Sequence, residues 1–249
     1  MKIALIGYGN MGKDVELLAL KQGHQIIARV DPLGGDNVSP TITEELLSEV
    51  NVCIEFAQPQ STLPNIQKIV ELGKPIVIGT TDWYHQIPQV RKIIQDNGVG
   101  CVYAPNFSLG LNIFLQIVKT GAKLLHSFDN YDAFAMEIHH RKKMDSPSGT
   151  AKKIGDILLE YFPRKQHLVT ECLNRKILPE ELHLVSARSG YFPGTHSVIF
   201  DSEEDSLELV HRARSRAGFS FGALLAAQWI QERKGFYAFE QVLKNLWEN

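Results

Sequence analysis

The amino-acid sequence predicts an α/β protein in which a domain with a parallel sheet is followed by an α+β domain with a mostly antiparallel or mixed open sheet. Three observations lead to this prediction. Short apolar runs alternate with helical patterns over residues 2–103. Runs of alternating polarity then follow one another with one long helix between them, and residues 221–247 return to helical patterns. We therefore expect one domain of residues 1–108 and 219–249 and a second of residues 109–218.

The chain opens with a strand, a glycine turn and a helix. The apolar run 2–6 leads directly into Gly7-Tyr8-Gly9-Asn10-Met11-Gly12, which opens a helical pattern. In such a turn, two glycines permit a tight bend and close approach of a pyrophosphate, and the third allows close helix packing. The next apolar run, 25–30, ends at Asp31, an acid at the distance where it can hydrogen-bond an adenosine ribose. A plain turn or a nucleoside-binding methyltransferase is the alternative, but the combination favours a Rossmann-like dinucleotide site.

Asp31 also bears on the choice of dinucleotide. A carboxylate at this position favours the free 2′-hydroxyl of NADH. The following Pro32-Leu33-Gly34-Gly35 offers no arginine for the 2′-phosphate of NADPH. The sequence therefore favours NADH, with NADPH as the alternative cofactor.

Alternation continues through the first domain. Strands are predicted at 52–56, 75–78 and 99–103, and helices at 64–72 and 88–96. Ligands of open parallel sheets bind beyond the carboxyl ends of the strands. We therefore expect the loops after these strands to line a cofactor cleft, namely Ala57-Gln58-Pro59, Gly79-Thr80-Thr81 and Ala104-Pro105-Asn106-Phe107.

The second domain begins with a helix from Gly110 to about His126. Its alternating runs predict a sheet whose apolar face needs a cover, and another subunit is one way to supply it. Two further helices close the chain. The predicted strands are 133–140, 182–188, 197–201 and 207–214, and the closing helices are 221–233 and 239–247.

The segment from His139 to Ala151 is the most informative part of the sequence. It places two histidines and three cations just before an amphipathic helix. Ser148 is the natural N-cap, so the N–H groups of Gly149, Thr150 and Ala151 would face a carboxylate or phosphate. Histidine can exchange a proton near neutral pH, which suits acid/base chemistry on an anionic substrate. An ordinary solvated loop is the alternative.

Composition excludes several classes of function. A net charge of −2 gives no basic field for nucleic acid, and the apolar start of the chain is too short for a signal peptide or a membrane span. Cys53, Cys101 and Cys172 have no disulfide or zinc-site spacing, so no metal is predicted. A reducing cytoplasm fits this use of cysteine best.

Over nearly its whole length the sequence resembles the dihydrodipicolinate reductases, also called 4-hydroxy-tetrahydrodipicolinate reductases, of bacterial and plant lysine biosynthesis. The segment from the histidine pair to Ser148-Gly149-Thr150 is the most specific part of the resemblance. The motifs that carry it are the glycine turn, Gly79-Thr80-Thr81, Asn106-Phe107-Ser108-Leu109-Gly110, Glu137-Ile138-His139-His140, Lys143 to Ala151, Arg188-Ser189-Gly190 and Gly194-Thr195-His196.

The resemblance implies an NAD(P)H-dependent oxidoreductase of diaminopimelate and lysine biosynthesis that acts on a cyclic, unsaturated dicarboxylate with a ring imine. It also implies a homotetramer built through the C-terminal sheets. His139 matches the acid/base residue and Lys143 the proton donor of the family. The matched substrate contacts are His140, Ser148, Gly149 and Thr150, and the matched nucleotide contacts are Gly7, Tyr8, Gly9, Asn10, Met11, Asp31, Gly79, Thr80, Thr81, Ala104, Pro105, Asn106 and Phe107.

The chemistry of the residues agrees with this resemblance. Hydride transfer leaves an enamine-like anion, and His139, or a water that it holds, is the candidate proton donor. Lys143 would clamp a carboxylate, or would assist loss of a hydroxyl from a hydrated precursor. Two rival functions are another two-domain amino-acid dehydrogenase, acting on an aspartate-like substrate, and a non-catalytic dinucleotide sensor.

Overall fold

The computed structural model describes residues 1–248. Within it, unit 1 comprises residues 1–109 and 216–248, and unit 2 comprises residues 110–215. Unit 1 contains a parallel sheet flanked by helices, and unit 2 contains a mixed sheet with helices. The predicted fold class is therefore confirmed.

The described chain contains eleven strands and eight α-helices. The strands are β1 (Lys2–Ile6), β2 (Gln25–Val30), β3 (Val52–Glu55), β4 (Ile76–Ile78), β5 (Gly100–Tyr103), β6 (Asp132–His139), β7 (His167–Val169), β8 (Glu181–Arg188), β9 (Thr195–Asp201), β10 (Ser206–Arg212) and β11 (Gly235–Ala238). The helices are α1 (Asn10–Lys21), α2 (Glu44–Leu47), α3 (Pro59–Glu71), α4 (Ile87–Asn97), α5 (Leu109–Leu125), α6 (Gly149–Tyr161), α7 (Ala217–Ile230) and α8 (Phe239–Trp247).

The sheet of unit 1 is parallel throughout its described strands, in the order β11-β5-β4-β3-β1-β2. The chain moves outward from β1 in one direction to β2, and then in the other direction through β3, β4 and β5. The order thus reverses between β1 and β3. Open sheets of this kind bind ligands at such a reversal, beyond the carboxyl ends of the strands.

Alternate residues of the strands face opposite sides of this sheet. Ala4 and Ile6 of β1 pack into a core with α3 and α4, whereas Ile3 and Leu5 pack into a core with α1, α7 and α8. Because both faces are covered, the strands are apolar on both sides, as is usual for a parallel sheet. Glu55, at the end of β3, is an acid in this otherwise apolar environment.

In unit 1, helix α3 begins earlier than predicted, and helix α2 and strand β11 were not predicted. Helix α3 begins at Pro59, not at residue 64, because proline is well tolerated in the first helical position, and Pro64 lies inside the helix. Strand β11 was not predicted at all. It spans four residues between two helices, too short for a periodic signal, and its parallel pairing with β5 comes from tertiary structure.

The sheet of unit 2 has the order β10-β9-β6-β8-β7. Strands β9 and β10, and β6 and β9, pair antiparallel, whereas β6 and β8, and β7 and β8, pair parallel. The parallel pairing follows from the crossover through α6 between β6 and β8. Strand β7 was not predicted; it is a three-residue strand at the edge of the sheet.

One face of this sheet packs on α5 and α6, with Ala133, Leu184 and Val198 among the buried side chains. The opposite face carries apolar side chains that remain accessible. Phe134 of β6 is 39% exposed and Val185 of β8 is 37% exposed. The sheet therefore presents an apolar surface that unit 2 itself does not cover.

None of the helices within residues 1–248 combines the length and the apolar composition of a membrane-spanning segment.

Candidate active site

The glycine turn after β1 requires its first and third glycines, Gly7 and Gly12. Gly7 has φ +87°, and a Cβ there would lie 2.2 Å from the carbonyl oxygen of Phe56. A Cβ on Gly12 would lie 2.4 Å from the carbonyl oxygen of Gly7. A Cβ on Gly9, by contrast, would meet no described atom within 4 Å. The turn is thus closed toward the protein and open at Gly9, where a ligand can approach the backbone.

Asp31 lies just beyond β2, beside this turn. Its Oδ2 accepts a hydrogen bond from the backbone N–H of Tyr8 at 2.9 Å, and its Oδ1 accepts one from Leu33 at 3.1 Å. These bonds hold the carboxylate against the glycine turn. A carboxylate oxygen can accept more than one hydrogen bond, so capacity remains for a ribose hydroxyl.

Arg29, two residues before Asp31, is committed to an ion pair inside unit 1. Its Nε donates to Glu16 Oε2 at 2.9 Å, and its Nη2 pairs with Glu16 Oε1. The Tyr8 hydroxyl donates to the same carboxylate at 2.5 Å. Hydrogen bonding to Arg29 lowers the pKa of Glu16, so the pair stays ionised. The guanidinium charge is consequently balanced before any ligand binds.

The loop after β4 is held from several directions. A Cβ on Gly79 would lie 2.0 Å from the ring of Phe56, so glycine is required there. The Thr80 hydroxyl accepts from the backbone N–H of Ala57 at 2.8 Å, and the Thr80 carbonyl accepts from Trp83 Nε1 at 2.9 Å. Thr80 is buried, whereas Thr81 is exposed. The loop therefore offers Thr81 and its backbone to a ligand.

In the loop after β5, Pro105 is exposed, but the side chain of Phe107 is 1% exposed. The Phe107 ring packs 4.9 Å from Phe239 and 6.4 Å from Phe56. A ligand at this loop would therefore meet the backbone of Phe107. All the predicted nucleotide contacts belong to unit 1, in the glycine turn, at the end of β2 or in the loops after β4 and β5.

In unit 2, a row of polar side chains crosses the helix-covered face of the sheet. Glu137 of β6 pairs in register with Ser186 of β8 and with His196 of β9, and His196 pairs with His211 of β10. His139 lies two residues beyond Glu137, on the same face of β6 because side chains alternate along a strand. The row therefore surrounds His139 with polar groups on neighbouring strands.

Glu137 is the centre of this row. Its Oε1 accepts hydrogen bonds from the Ser148 backbone N–H at 2.9 Å, from the Ser186 hydroxyl at 2.8 Å and from Arg188 Nη2 at 2.8 Å. Burial alone would raise the pKa of this carboxyl, but His196, 3.6 Å away, and hydrogen bonds from Ser148 and Arg188 outweigh burial and hold the pKa well below its usual range. Glu137 is therefore a permanent buried anion.

His139 lies next to this anion. Its Nδ1 is 3.2 Å from Glu137 Oε2, and its side chain is largely buried. Burial lowers the pKa of His139 to about 4; Glu137 opposes the shift, while the positive charges of Lys143 and Arg188 add to it. The imidazole is therefore neutral at pH 7. A Cβ on Gly194 would lie 3.0 Å from His139 Nε2, so a small residue is needed there.

The N-terminus of α6 confirms the predicted cap. The Ser148 hydroxyl accepts from the Ala151 N–H at 3.1 Å and itself donates to Glu137 Oε2. The expectation that the N–H of Ala151 is free was therefore wrong, because the cap occupies it. The N–H groups of Gly149 and Thr150 have no acceptor among the described residues, and Gly149 is exposed. These two amides can receive an anion.

The loop between β6 and α6 carries the other predicted residues. Lys143 Nζ lies 2.7 Å from Asp145 Oδ1, in a partly exposed ion pair. The backbone N–H of His140 donates to the Phe192 carbonyl at 2.8 Å, which ties this loop to the one before β9. His139, His140, Lys143, Ser148, Gly149 and Thr150 thus lie together in unit 2, at the end of β6, the start of α6 and the loop between them.

A metal is a weak explanation for the acidic and imidazole groups here. Glu137, His139 and His196 have potential ligand atoms within 4.8 Å of one another. However, Glu137 already accepts hydrogen bonds from Arg188, Ser148 and Ser186, and the Arg188 guanidinium places a positive charge beside it. A divalent cation would have to displace these donors. The donor set fits an anion-centred hydrogen-bond network better.

Glu137, Arg188 and His196 belong to this site, although the sequence predicted no role for them here. The alternation of β6 offered one signal, since Glu137 is two positions before His139 and so shares its face. Arg188 and His196 come from strands far along the chain. Their proximity depends on the register of β8 and β9 against β6, which local sequence patterns do not reveal.

Comparison with known proteins places this chain in a family. The family model described as dihydrodipicolinate reductase, N-terminus, matches residues 1–107, and the model described as dihydrodipicolinate reductase, C-terminus, matches residues 110–243. A relative from Christiangramia forsetii, named 4-hydroxy-tetrahydrodipicolinate reductase, is 32% identical over 249 residues and covers 100% of both chains. A relative of the same name from Staphylococcus carnosus is 32% identical and covers 97% of this chain and 99% of its own.

A solved structure shares the fold. The dipicolinate-bound dihydrodipicolinate reductase from Paenisporosarcina sp. TG-14 has a TM-score of 0.77 at 22% identity, covering 97% of this chain and 99% of that chain. The family models match both parts of the chain, and a relative matches it along its full length. The chain belongs to the dihydrodipicolinate reductase family.

Proposed function

We propose that this protein is a 4-hydroxy-tetrahydrodipicolinate reductase, an NAD(P)H-dependent oxidoreductase of diaminopimelate and lysine biosynthesis. The observation that carries the proposal is the arrangement in unit 2 of His139 beside the buried anion Glu137, with the unpaired amides of Gly149 and Thr150 at the start of α6. This arrangement combines a proton carrier with a receptor for an anionic substrate. The full-length relatives of the same name support it.

The substrate class follows from the charges of this site. A cyclic dicarboxylate brings two negative charges, and unit 2 offers Lys143 together with the N-terminus of α6. Helix N-termini bind carboxylates through free N–H groups and the helix dipole. We assign the Gly149 and Thr150 amides to one carboxylate, with the Ser148 cap holding the first turn in place. Lys143 would exchange its contact with Asp145 for a substrate carboxylate.

His139 is the proton donor of this proposal. In the free protein its imidazole is neutral, because burial lowers its pKa to about 4. A substrate dianion beside it would favour the protonated form and raise this pKa. His139 would then acquire its proton as the substrate binds, directly or through a held water. The negative charge of Glu137, whose Oε2 lies 3.2 Å from Nδ1, favours a proton on that nitrogen.

The cofactor binds in unit 1, between the glycine turn and the loops at the carboxyl ends of β3, β4 and β5. When bound, a reduced nicotinamide supplies a hydride to an electron-poor ring carbon of the substrate. The open backbone at Gly9 suits the pyrophosphate, and the fixed carboxylate of Asp31 suits a ribose hydroxyl.

NADH is the preferred cofactor in this proposal. Asp31 would repel a 2′-phosphate, and the nearby Arg29 is already neutralised by Glu16. Neither residue therefore favours NADPH. The preference is a ratio of kcat/KM values and not an absolute exclusion, since exposed charges repel weakly in water.

A coupled assay tests the substrate and the cofactor together. The unstable substrate is generated from pyruvate and aspartate semialdehyde, and oxidation of NADH or NADPH is followed by absorbance. We expect substrate-dependent oxidation with a higher kcat/KM for NADH. Oxidation of neither cofactor would contradict the proposed reaction, whereas equal or faster use of NADPH would contradict only the cofactor preference.

We also propose a homotetramer, assembled through the apolar outer face of the unit 2 sheet. Phe134 and Val185 are exposed on adjacent strands of this face, and a second copy of the sheet would cover them. Light scattering with size-exclusion chromatography should give four times the chain mass of 28.0 kDa. Replacing Val185 with Lys should lower that mass, and a monomeric wild-type protein would contradict the proposal.

The cytoplasm is the compartment that fits this pathway and the free thiols of Cys53 and Cys101, which are buried in unit 1. Cell fractionation with an antibody against the protein tests this assignment.

A further inference from the structure

Glu55 is a buried acid in unit 1 to which the proposed reaction gives no role. It is the last residue of β3, and its side chain is fully buried beneath the loops at the carboxyl end of the sheet. Among residues 1–248, it forms no salt bridge. A buried carboxyl group without a counter-ion is costly to fold, and its hydrogen bonds offset part of this cost.

Hydrogen bonds connect Glu55 to both adjoining loops. The Thr80 hydroxyl donates to Glu55 Oε2 at 2.6 Å and accepts from the Ala57 N–H at 2.8 Å. The Ala57 N–H can only donate, so the Thr80 hydroxyl accepts from it and keeps its own proton for Glu55 Oε2. Glu55 Oε2 is the acceptor of this bond, a role in which the ionised carboxylate is strongest.

These bonds join the loop after β3, through Ala57, to the loop after β4, through Thr80. The glycine turn also touches the first of these loops, since a Cβ on Gly7 would lie 2.8 Å from the Ala57 nitrogen. The glycine turn after β1 and the loops after β3 and β4 therefore contact one another at the point where the strand order reverses. A change at Glu55 would therefore alter the contacts of each of these loops.

The protonated form of Glu55 can also form hydrogen bonds within this network. The Thr62 hydroxyl lies 3.3 Å from Glu55 Oε1 and 3.2 Å from the Gln58 carbonyl. A proton on Oε1 can be donated to Thr62, which then donates to Gln58. The bond from Thr80 to Oε2 would persist, but as a weaker bond between neutral groups.

The charge of Glu55 is set by burial and not by other charged groups. Burial raises the pKa of its carboxyl to about 7, against the opposing effect of hydrogen bonds from Thr80, Asn65 and Thr62. Cys101 of β5 interacts electrostatically with Glu55, and burial raises the pKa of that thiol so that it stays neutral. Glu55 therefore changes charge near neutral pH while its surroundings do not.

We propose that Glu55 is a positioning residue whose ionised form, acting through the Thr80 hydroxyl, holds the loops after β3 and β4 in the shape that binds the reduced dinucleotide more tightly. This inference rests on the proposed function, because it assigns these loops to the cofactor. It concerns binding of the cofactor and requires no contact between Glu55 and the ligand.

Binding of NADH alone tests the inference. The dissociation constant is measured by NADH fluorescence at about pH 6 and about pH 8, on either side of the titration of Glu55. We expect wild-type protein to bind roughly fivefold more tightly at the higher pH, because a charge-assisted hydrogen bond is about twice as strong as a neutral one. Glu55→Gln should show the weaker binding at both pH values, since glutamine mimics the protonated acid.

Glu71→Gln is the matched control, because Glu71 is exposed at the end of α3 and its loss changes the net charge of unit 1 equally. This variant should retain the wild-type pH dependence. Circular dichroism confirms folding, and glutamine at position 55 should not lower stability at pH 8, where it removes a buried charge. A purely structural role would leave the pH dependence of binding intact.

The outcomes separate the two proposals. Equal pH dependence in wild type and Glu55→Gln, or pH-independent binding in both, would overturn the role of Glu55. Failure of the wild-type protein to bind NADH or NADPH at either pH would instead contradict the assignment of the cofactor, and with it the inference.

Discussion

Glu55 in unit 1 and Glu137 in unit 2 are both buried glutamates on sheet strands, yet their surroundings drive their pKa values in opposite directions. Burial raises the pKa of Glu55 to about 7, and the groups around it are neutral. Burial acts on Glu137 as well, but the nearby His196 and hydrogen bonds from Ser148 and Arg188 hold its pKa far below the usual range. The neighbours, and not the residue type, decide the charge.

The difference suits the two tasks that we propose. A permanent anion at Glu137 can hold the cap of α6 and orient His139 at any physiological pH. A carboxyl group that titrates near neutrality, such as Glu55, can instead alter the shape of the adjoining loops. Pairs of acids whose environments separate their pKa values often mark different roles in one enzyme.

The largest effect is expected from Glu137→Gln, which removes a buried charge while Arg188 remains. Breaking a buried ion pair in this way costs about 3–5 kcal/mol of unfolding free energy. Glu55→Gln should cost none of this at pH 8, because Glu55 has no cationic partner within residues 1–248. Denaturant unfolding followed by circular dichroism checks both variants; equal destabilisation would show that the two acids do not differ as described.

The pH dependence of stability should also separate the two acids. The folded protein binds a proton at Glu55 more tightly than the unfolded chain does, so the contribution of Glu55 to stability falls as pH rises from about 4.5 to about 7. The unfolding free energy of Glu55→Gln relative to wild type should increase across this window, by up to roughly 3 kcal/mol. Urea unfolding followed by tryptophan fluorescence suits this test, since Trp83 and Trp229 lie in unit 1.

Glu137 should behave in the opposite way. Its pKa is depressed in the folded protein, so its stabilising contribution is present above the unfolded value of about 4.5 and is lost as pH falls through the acid range. The deficit of Glu137→Gln should therefore shrink on acidification. A deficit that grows in acid would contradict the network described here.

A smaller effect, confined to catalysis, is expected from His139→Gln. Loss of a general acid should lower kcat by on the order of 100-fold, with little change in KM. Glu137→Gln should lower kcat as well, through the orientation of His139, but it should also lower stability. Steady-state kinetics with unchanged kcat in the His139 variant would eliminate it as the proton donor.

The smallest effect is expected from Lys143→Ala. Its ammonium pairs with the partly exposed Asp145, and exposed pairs contribute little to stability. We expect about tenfold lower kcat/KM, with both kcat and KM affected, because the change removes charge that binds substrate. Asp145→Asn, which frees Lys143 without removing it, is the matched comparison and should not raise KM. An unchanged KM in Lys143→Ala would argue against the clamp.

Much of the fold was predictable because its signals are local. The glycine turn, the cap at Ser148 and the alternation of β6 each occupy a few consecutive residues. Strand β11 was not predicted because a strand of four residues shows little periodicity. The predicted start of helix α3 was five residues too late because proline is typical of a helix start and Pro64 lies inside the helix. Short elements and tolerated prolines depend on tertiary packing.

In the candidate site, the residues that lie close together in the sequence were also predictable. His139, Lys143 and the start of α6 are close in sequence, so their proximity followed from the chain itself. Their protonation states and their hydrogen-bond partners could not be predicted from the sequence. That His139 is neutral, that the Ala151 amide is occupied and that Lys143 already has a partner are consequences of burial and specific contacts.

Sequence alone determined the α/β alternation, the glycine turn with its acid and the imidazole and amide groups before α6, because these depend on residue types at short spacing. Only the tertiary structure decided which acids are ionised and which groups they contact. Strand register brings Arg188 and His196 to Glu137 and leaves Glu55 among neutral groups, and electrostatic energy depends on distance in space and on burial.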